Sequence, residues 1–156
     1  MADVGVREDT PNTKAGASKI LEVDANTRKI TYLRVQASGI GAQSVSRAVL
    51  RLTVANATDA ESDAGGRVSS VSNCAWDEGA TTWSTRPAID GPVLFTVAGA
   101  VDIGDTVDFD VTPGIPGDGT YCFAVETGSG NMVKYNSREA ASARPTVVLT
   151  VAPPTT

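Results

Sequence analysis

The sequence contains no histidine among its 156 residues. Histidine is the commonest general base and metal ligand, and the side chain whose charge changes most readily near neutral pH. Its absence excludes serine–histidine–acid and cysteine–histidine catalysis. It also excludes a classical zinc site, because two cysteines alone cannot complete a tetrahedral shell.

Cysteine is scarce as well, with Cys74 and Cys122 lying 48 positions apart. A disulfide between them would indicate an oxidising compartment, whereas two buried free thiols would not. The residue pattern leaves both alternatives open. Apolar runs are short, none approaching the roughly 18 residues of a membrane span, so we expect no membrane association.

The net charge is −5, and aromatic residues make up only 5% of the chain. An acidic protein is not attracted to nucleic acid or to an anionic membrane surface. The last residues, 152–156, read as the start of a Pro/Thr-rich linker. We therefore expect a single module over residues 1–151, monomeric and part of a larger multidomain secreted enzyme.

Alternating apolar and polar residues predict an all-β fold. About ten short alternating segments are separated by turns rich in Gly, Asn, Asp, Ser and Pro, while long loops cover residues 8–19, 55–67 and 77–92. This arrangement favours a β-sandwich of jelly-roll type. The expected strands are residues 4–7, 20–23, 30–36, 48–54, 68–71, 93–97, 106–111, 121–126, 132–138 and 146–151.

Trp76 lies just before the long loop of residues 77–92, and Trp83 lies within it. A sugar-stacking platform is one interpretation, but with so few aromatic residues we favour a loop held to the core by its largest side chains. The aspartates at 102, 105, 108 and 110 lack the spacing of an EF-hand loop and fit a solvated face. We expect no cofactor, although a structural calcium ion stays an open alternative.

Basic residues mark the outer faces of several expected strands. Lys134, Asn136 and Arg138 share one face of their segment, opposite Tyr135. If the strands are neighbours, these residues converge with Arg7 and Arg34 on a groove, beside Tyr32. Arginine binds carboxylates in a bidentate manner, so the groove would suit an acidic ligand. Tyr135 faces away from the cations, which argues against a lyase that uses it as a base.

An ordered series of short motifs resembles a known family. The series begins with Val6-Arg7-Glu8-Asp9-Thr10-Pro11-Asn12-Thr13, continues through Tyr32-Leu33-Arg34-Val35 and Ala48-Val49-Leu50-Arg51-Leu52, and includes Trp76-Asp77-Glu78 and Tyr135-Asn136-Ser137-Arg138-Glu139-Ala140. These motifs resemble DNRLRE-type modules, classed as carbohydrate-binding module family 96. Two positions depart from the family pattern, because Gly5 replaces a frequent aromatic residue and Gln36 a usual acidic one.

The resemblance implies a secreted, non-catalytic module that holds an attached enzyme near a polysaccharide, and some relatives are associated with alginate. The carbohydrate-binding candidates are Arg7, Tyr32, Arg34, Lys134, Asn136 and Arg138. The partner would be an acidic, alginate-like polysaccharide, bound outside the cell. A structural or adhesive surface module that binds no soluble glycan is the alternative.

Overall fold

The computed structural model describes residues 1–154 and contains two antiparallel sheets, which confirms the predicted β-sandwich. Ten strands form at the ten expected places, and a single 3₁₀ turn at Thr112–Gly114 is the one helical element in this range. The strands are β1 Ala2–Arg7, β2 Ile20–Ala25, β3 Arg28–Ala37, β4 Ser44–Thr53, β5 Gly66–Val71, β6 Val93–Val97, β7 Thr106–Asp110, β8 Gly119–Glu126, β9 Val133–Asn136 and β10 Thr146–Ala152.

The larger sheet has seven strands in the order β6-β5-β8-β3-β2-β9, with β1 paired to β3 as a branch. Strand β3 is therefore the centre of this sheet. It pairs with β8 over residues 31–37 and with β1 over residues 29–34, but with β2 only at residues 28–29, beside the β2–β3 turn. Strand β2 then continues alongside β9.

The smaller sheet has the order β10-β4-β7 and packs on the inner face of the larger one. Apolar residues from both sheets fill the space between them, among them Leu33, Leu50, Phe109, Phe123 and Tyr135. Tyr135 is fully buried and donates a 2.6 Å hydrogen bond to the Gly65 carbonyl. Its predicted place on the core face is confirmed.

A second, smaller apolar cluster lies on the opposite face of the larger sheet. On β3, Ile30 and Tyr32 belong to this cluster, whereas the alternate residue Leu33 belongs to the main core. The loop after β5 covers the cluster with Trp76, which is 8% exposed, and with the half-buried Trp83. The interpretation of Trp76 as a structural anchor is confirmed.

Cys74 and Cys122 form a disulfide between this loop and β8, with a Cα–Cα distance of 5.6 Å. The bridge ties the start of the covering loop to the sheet that it covers. Strand β10 continues through Ala152, which pairs with Ser44. Of the expected linker, residues 155–156 lie outside the described part of the chain. Within residues 1–154 no helix is long and apolar enough to cross a membrane.

A candidate binding cleft on the outer face of the larger sheet

An open cleft of about 580 Å³ lies where the covering loop meets the outer face of β3 and β8. Its position follows from the geometry of β3, in which successive side chains point to opposite faces of the sheet. Arg34 and Gln36 therefore lie on the same face as the buried Tyr32. The loop reaches Arg34 but covers neither residue completely, since Arg34 is partly exposed and Gln36 is exposed, so the face stays open there. We call this site the Arg34–Arg138 cleft. Its lining residues are Met1, Ala2, Arg34, Gln36, Asp77, Glu78, Gly79, Thr120 and Arg138.

Arg34 is held by the loop that covers its neighbours. Its Nη1 donates to the carbonyls of Trp76, at 2.6 Å, and Cys74, at 3.4 Å. Its guanidinium carbon lies 5.0 Å from the centre of the Trp76 ring, a cation–π geometry. Among the described residues, no protein atom accepts a hydrogen bond from Nε or Nη2 of Arg34. These donors are available to a ligand.

Arg138 lies just beyond the end of β9 and reaches the same cleft. Its Nε is 2.8 Å from both carboxylate oxygens of Glu78 and 3.4 Å from Glu139. Its side chain is 47% exposed, and no acceptor in residues 1–154 receives a hydrogen bond from Nη1 or Nη2. The two arginines are opposed by Asp77 and Glu78 in the lining, so the cleft combines donors with acceptors and is not a purely basic groove.

Asp3 lies beneath the cleft and is only 1% exposed. Its Oδ2 accepts a 2.8 Å hydrogen bond from the backbone N–H of Arg138, and its own N–H donates to Glu78 at 3.3 Å. No protein atom in the described range pairs with Oδ1. Burial is the main reason that the pKa of Asp3 rises to about 6; the Arg138 N–H opposes this rise and the charge of Glu78 adds to it.

Replacing Asp3 by asparagine should remove a pH dependence of stability. A raised pKa means that the folded state binds the proton more tightly than the unfolded chain. The resulting stabilisation is complete below about pH 4 and is lost as the pH rises through about 6. The titration of Asp3 should therefore lower the unfolding free energy of the wild-type protein by roughly 3 kcal/mol between about pH 4 and pH 7. Urea titrations at several pH values measure this loss.

In the Asp3→Asn variant, the side-chain carbonyl can still accept the Arg138 N–H, so the fold should be kept. Its unfolding free energy should exceed that of the wild type at pH 7. Asp102→Asn, at an exposed position of a distant loop, is the matched control and should follow the wild-type profile. Equal pH profiles for Asp3→Asn and the wild type would show that Asp3 titrates normally.

The structure brings only two of the predicted binding residues together, namely Arg34 and Arg138. Arg7 lies elsewhere, where it pairs with Asp9 and approaches Glu22. Lys134 donates to the Thr58 carbonyl at 2.8 Å and Asn136 to the Ala143 carbonyl at 3.3 Å. None of these three lines the cleft, so the expected convergence of all the cations is wrong.

Tyr32 requires a second correction, because its ring is fully buried rather than exposed beside the arginines. The ring packs edge-on against Trp76, with ring centres 6.4 Å apart, and its hydroxyl donates to the Pro87 carbonyl at 2.9 Å. The alternation of residues along β3 predicted the correct face for Tyr32. The long loop, which has no periodic signal of its own, covers that face.

The polar side chains of the cleft that were not predicted include those of Asp77, Glu78 and Thr120. A signal for Glu78 existed, since it belongs to the Trp76-Asp77-Glu78 motif next to a buried anchor. Thr120 gave no signal, because its place beside Gln36 depends on the pairing of β3 with β8. In the described part of the chain, no cluster of three or more Cys, Asp or Glu side chains could hold a metal ion.

The sequence model of carbohydrate-binding module family 96 matches residues 1–151. The match includes β1, β3 and β8, the covering loop and Arg138, and therefore all elements of the cleft. No curated protein matches the sequence.

Proposed function

The chain belongs to carbohydrate-binding module family 96, and we propose that it binds an acidic polysaccharide such as alginate without cleaving it. The observation that carries the proposal is the pair of arginines in one cleft with unused N–H groups. Arg34 offers Nε and Nη2, and Arg138 offers Nη1 and Nη2. Bonds from a guanidinium to a carboxylate are roughly twice as strong as neutral hydrogen bonds.

The acceptors of the cleft fit the other groups of a sugar acid. The Glu78 carboxylate accepts hydrogen bonds from Nε of Arg138. The Nη1 and Nη2 groups of the guanidinium therefore stay free for a ligand. Asp77, Glu78 and the Gln36 side chain provide oxygens that accept hydrogen bonds from sugar hydroxyls. A hydroxyl-rich ligand that also carries a carboxylate therefore uses both kinds of group in the lining.

Binding without cleavage is supported by the position of Tyr135, a candidate base in the sequence. Burial raises the pKa of Tyr135 far above its ordinary value, and its hydroxyl is bonded to Gly65 inside the main core. The ring is on the opposite side of its strand from Lys134. This tyrosine cannot reach a substrate in the Arg34–Arg138 cleft.

The disulfide supports a location in an oxidising, extracellular setting. In such a setting the module, itself a monomer, would be joined to a catalytic domain and would keep that domain close to the polysaccharide. This effect works through effective concentration, so weak binding by the module alone is sufficient.

Replacing Arg138 by alanine should lower the affinity of the Arg34–Arg138 cleft for a uronate oligosaccharide by about tenfold or more, the loss expected for one charge-assisted contact. The Arg138 side chain is 47% exposed and its partner Glu78 is 16% exposed. The ion pair is therefore partly solvated, and the unfolding free energy should fall by about 1 kcal/mol. Calorimetric titration with a mannuronate oligomer measures the affinity, and urea unfolding measures the stability.

Arg47→Ala is the matched control, because Arg47 is an exposed arginine on β4 of the smaller sheet. The two variants carry the same net charge, so a nonspecific charge effect would weaken binding equally in both. Unchanged binding in Arg138→Ala would reject the cleft as the site. A module that is only structural or adhesive would bind none of the acidic or neutral polysaccharides offered.

A further inference from the structure

A second cleft of about 510 Å³ opens at the other end of β3, on the same outer face. Arg28 and Arg34 are six residues apart along the strand, which places the two clefts about 20 Å from each other. The second cleft is lined by Arg28, Ile30, Tyr32, Arg86, Pro87, Ala88, Ile89 and Glu126. We call it the Arg28–Arg86 cleft.

Arg86 is oriented by the aromatic ring beside it. Its guanidinium carbon lies 3.7 Å from the centre of the Trp83 ring, and Nη1 donates to the Trp83 carbonyl at 2.7 Å. A stacked guanidinium uses its flat face for the ring and keeps its in-plane N–H groups for a bidentate partner. Among the described residues, no acceptor contacts Nε or Nη2 of Arg86.

Arg28 approaches the same ring, at 5.4 Å from its centre, and its side chain is 47% exposed. Its Nη2 donates to Glu126 at 3.0 Å, while Arg67 lies 3.9 Å from the other oxygen of that carboxylate. Glu126 is thus shared between two cations. The lining has two arginines and one acid, so this cleft has the positive balance that the Arg34–Arg138 cleft lacks.

Ile30 and Tyr32 lie beneath the second cleft but are only 2% and 0% exposed, so they offer almost no surface to a ligand. The apolar surface open to a ligand comes instead from Ala88, which is exposed, and from Ile89, which is partly exposed. A sugar ring has an apolar face of C–H groups that packs on such a surface while its carboxylate projects from the edge. Two cations beside this small apolar patch therefore match a sugar acid better than they match an inorganic anion, which has no apolar face.

We infer that the Arg28–Arg86 cleft is a second binding site for a carboxylate-bearing sugar, which makes the module bivalent. The inference rests on the proposed function, because it assigns the same class of ligand to a separate site. A long chain could contact both clefts and gain avidity, whereas a trimer is too short to occupy both at once.

The test is a calorimetric titration of four proteins with a mannuronate trimer. These are the wild type, Arg138→Ala, the double variant Arg28→Ala/Arg86→Ala, and the triple variant that combines them. The wild type should bind two trimers, Arg138→Ala and the double variant one each, and the triple variant none. Far-UV circular dichroism checks the fold, and Arg28→Ala alone, which leaves the Arg86–Trp83 stack intact, replaces the double variant if the latter is unfolded.

The outcomes separate the two proposals. If the double variant binds as the wild type does and Arg138→Ala binds nothing, the second site is wrong and the proposed function stands. If the double variant binds nothing and Arg138→Ala is unaffected, the second cleft is the site and the Arg34–Arg138 assignment is wrong. If the wild type binds no trimer, both proposals are rejected.

Discussion

Replacing both Cys74 and Cys122 by serine should lower the free energy of unfolding by about 4 kcal/mol. The disulfide joins positions 48 residues apart, and closing a loop of this length in the unfolded chain accounts for roughly that amount. The same bond attaches the covering loop to β8, so its loss also frees the segment that contains Trp76 and Glu78. Urea unfolding of the oxidised protein and of the double variant measures the difference.

Reduction of the wild-type protein is the internal control for this experiment. The reduced protein should unfold at nearly the urea concentration of the serine variant, and a thiol assay of the unreduced, unfolded protein should detect no free cysteine. A loss below about 1 kcal/mol would mean that other contacts already hold the loop in place.

Replacing Trp76 by alanine should cost about 3–5 kcal/mol, the usual range for removing a large buried aromatic side chain. Trp76 packs against Tyr32, covers the second apolar cluster and stacks on Arg34. The variant should therefore also weaken glycan binding, since Arg34 loses the ring that orients it. Urea unfolding and calorimetric titration of the same sample separate the two effects.

Trp76→Phe is the matched control. The indole N–H of Trp76 is buried and has no acceptor within residues 1–154, and a buried unpaired donor costs about 1–3 kcal/mol. Phenylalanine keeps an aromatic ring and removes that donor, so its loss of stability should be much smaller than that of alanine. Equal losses in the two variants would contradict the packing role of the aromatic ring, because only alanine removes it.

The strands of this protein could be predicted because the alternation of apolar and polar residues along a segment indicates which of its faces is buried. All ten formed where expected. The assignment of Tyr135 to the core had the same basis. The same residue pattern does not indicate which strands, far apart in the chain, pair with each other. The addition of β1 to β3, and of β2 to β9, depends on contacts between residues far apart in the chain.

The candidate cleft was harder to predict than the strands for the same reason. Arg34 and Arg138 meet only because β9 ends at Asn136 and the chain then turns toward Asp3 and Glu78. Lys134, only four residues earlier, turns instead to the loop at Thr58. Tyr32 was misplaced because an irregular loop gives no periodic signal of the surface that it covers.

The most direct test of the central claim is a comparison of two ligands that differ only in their carboxyl groups. A mannuronate oligosaccharide and the same oligosaccharide with its carboxyls reduced to alcohols are titrated into the wild-type protein by calorimetry. If Arg34 and Arg138 recognise a sugar acid, the uronate should bind at least about tenfold more tightly than the neutral form, the difference expected for one lost charge-assisted contact. Equal affinity for the two ligands, or tighter binding of the reduced one, would contradict recognition of the carboxylate.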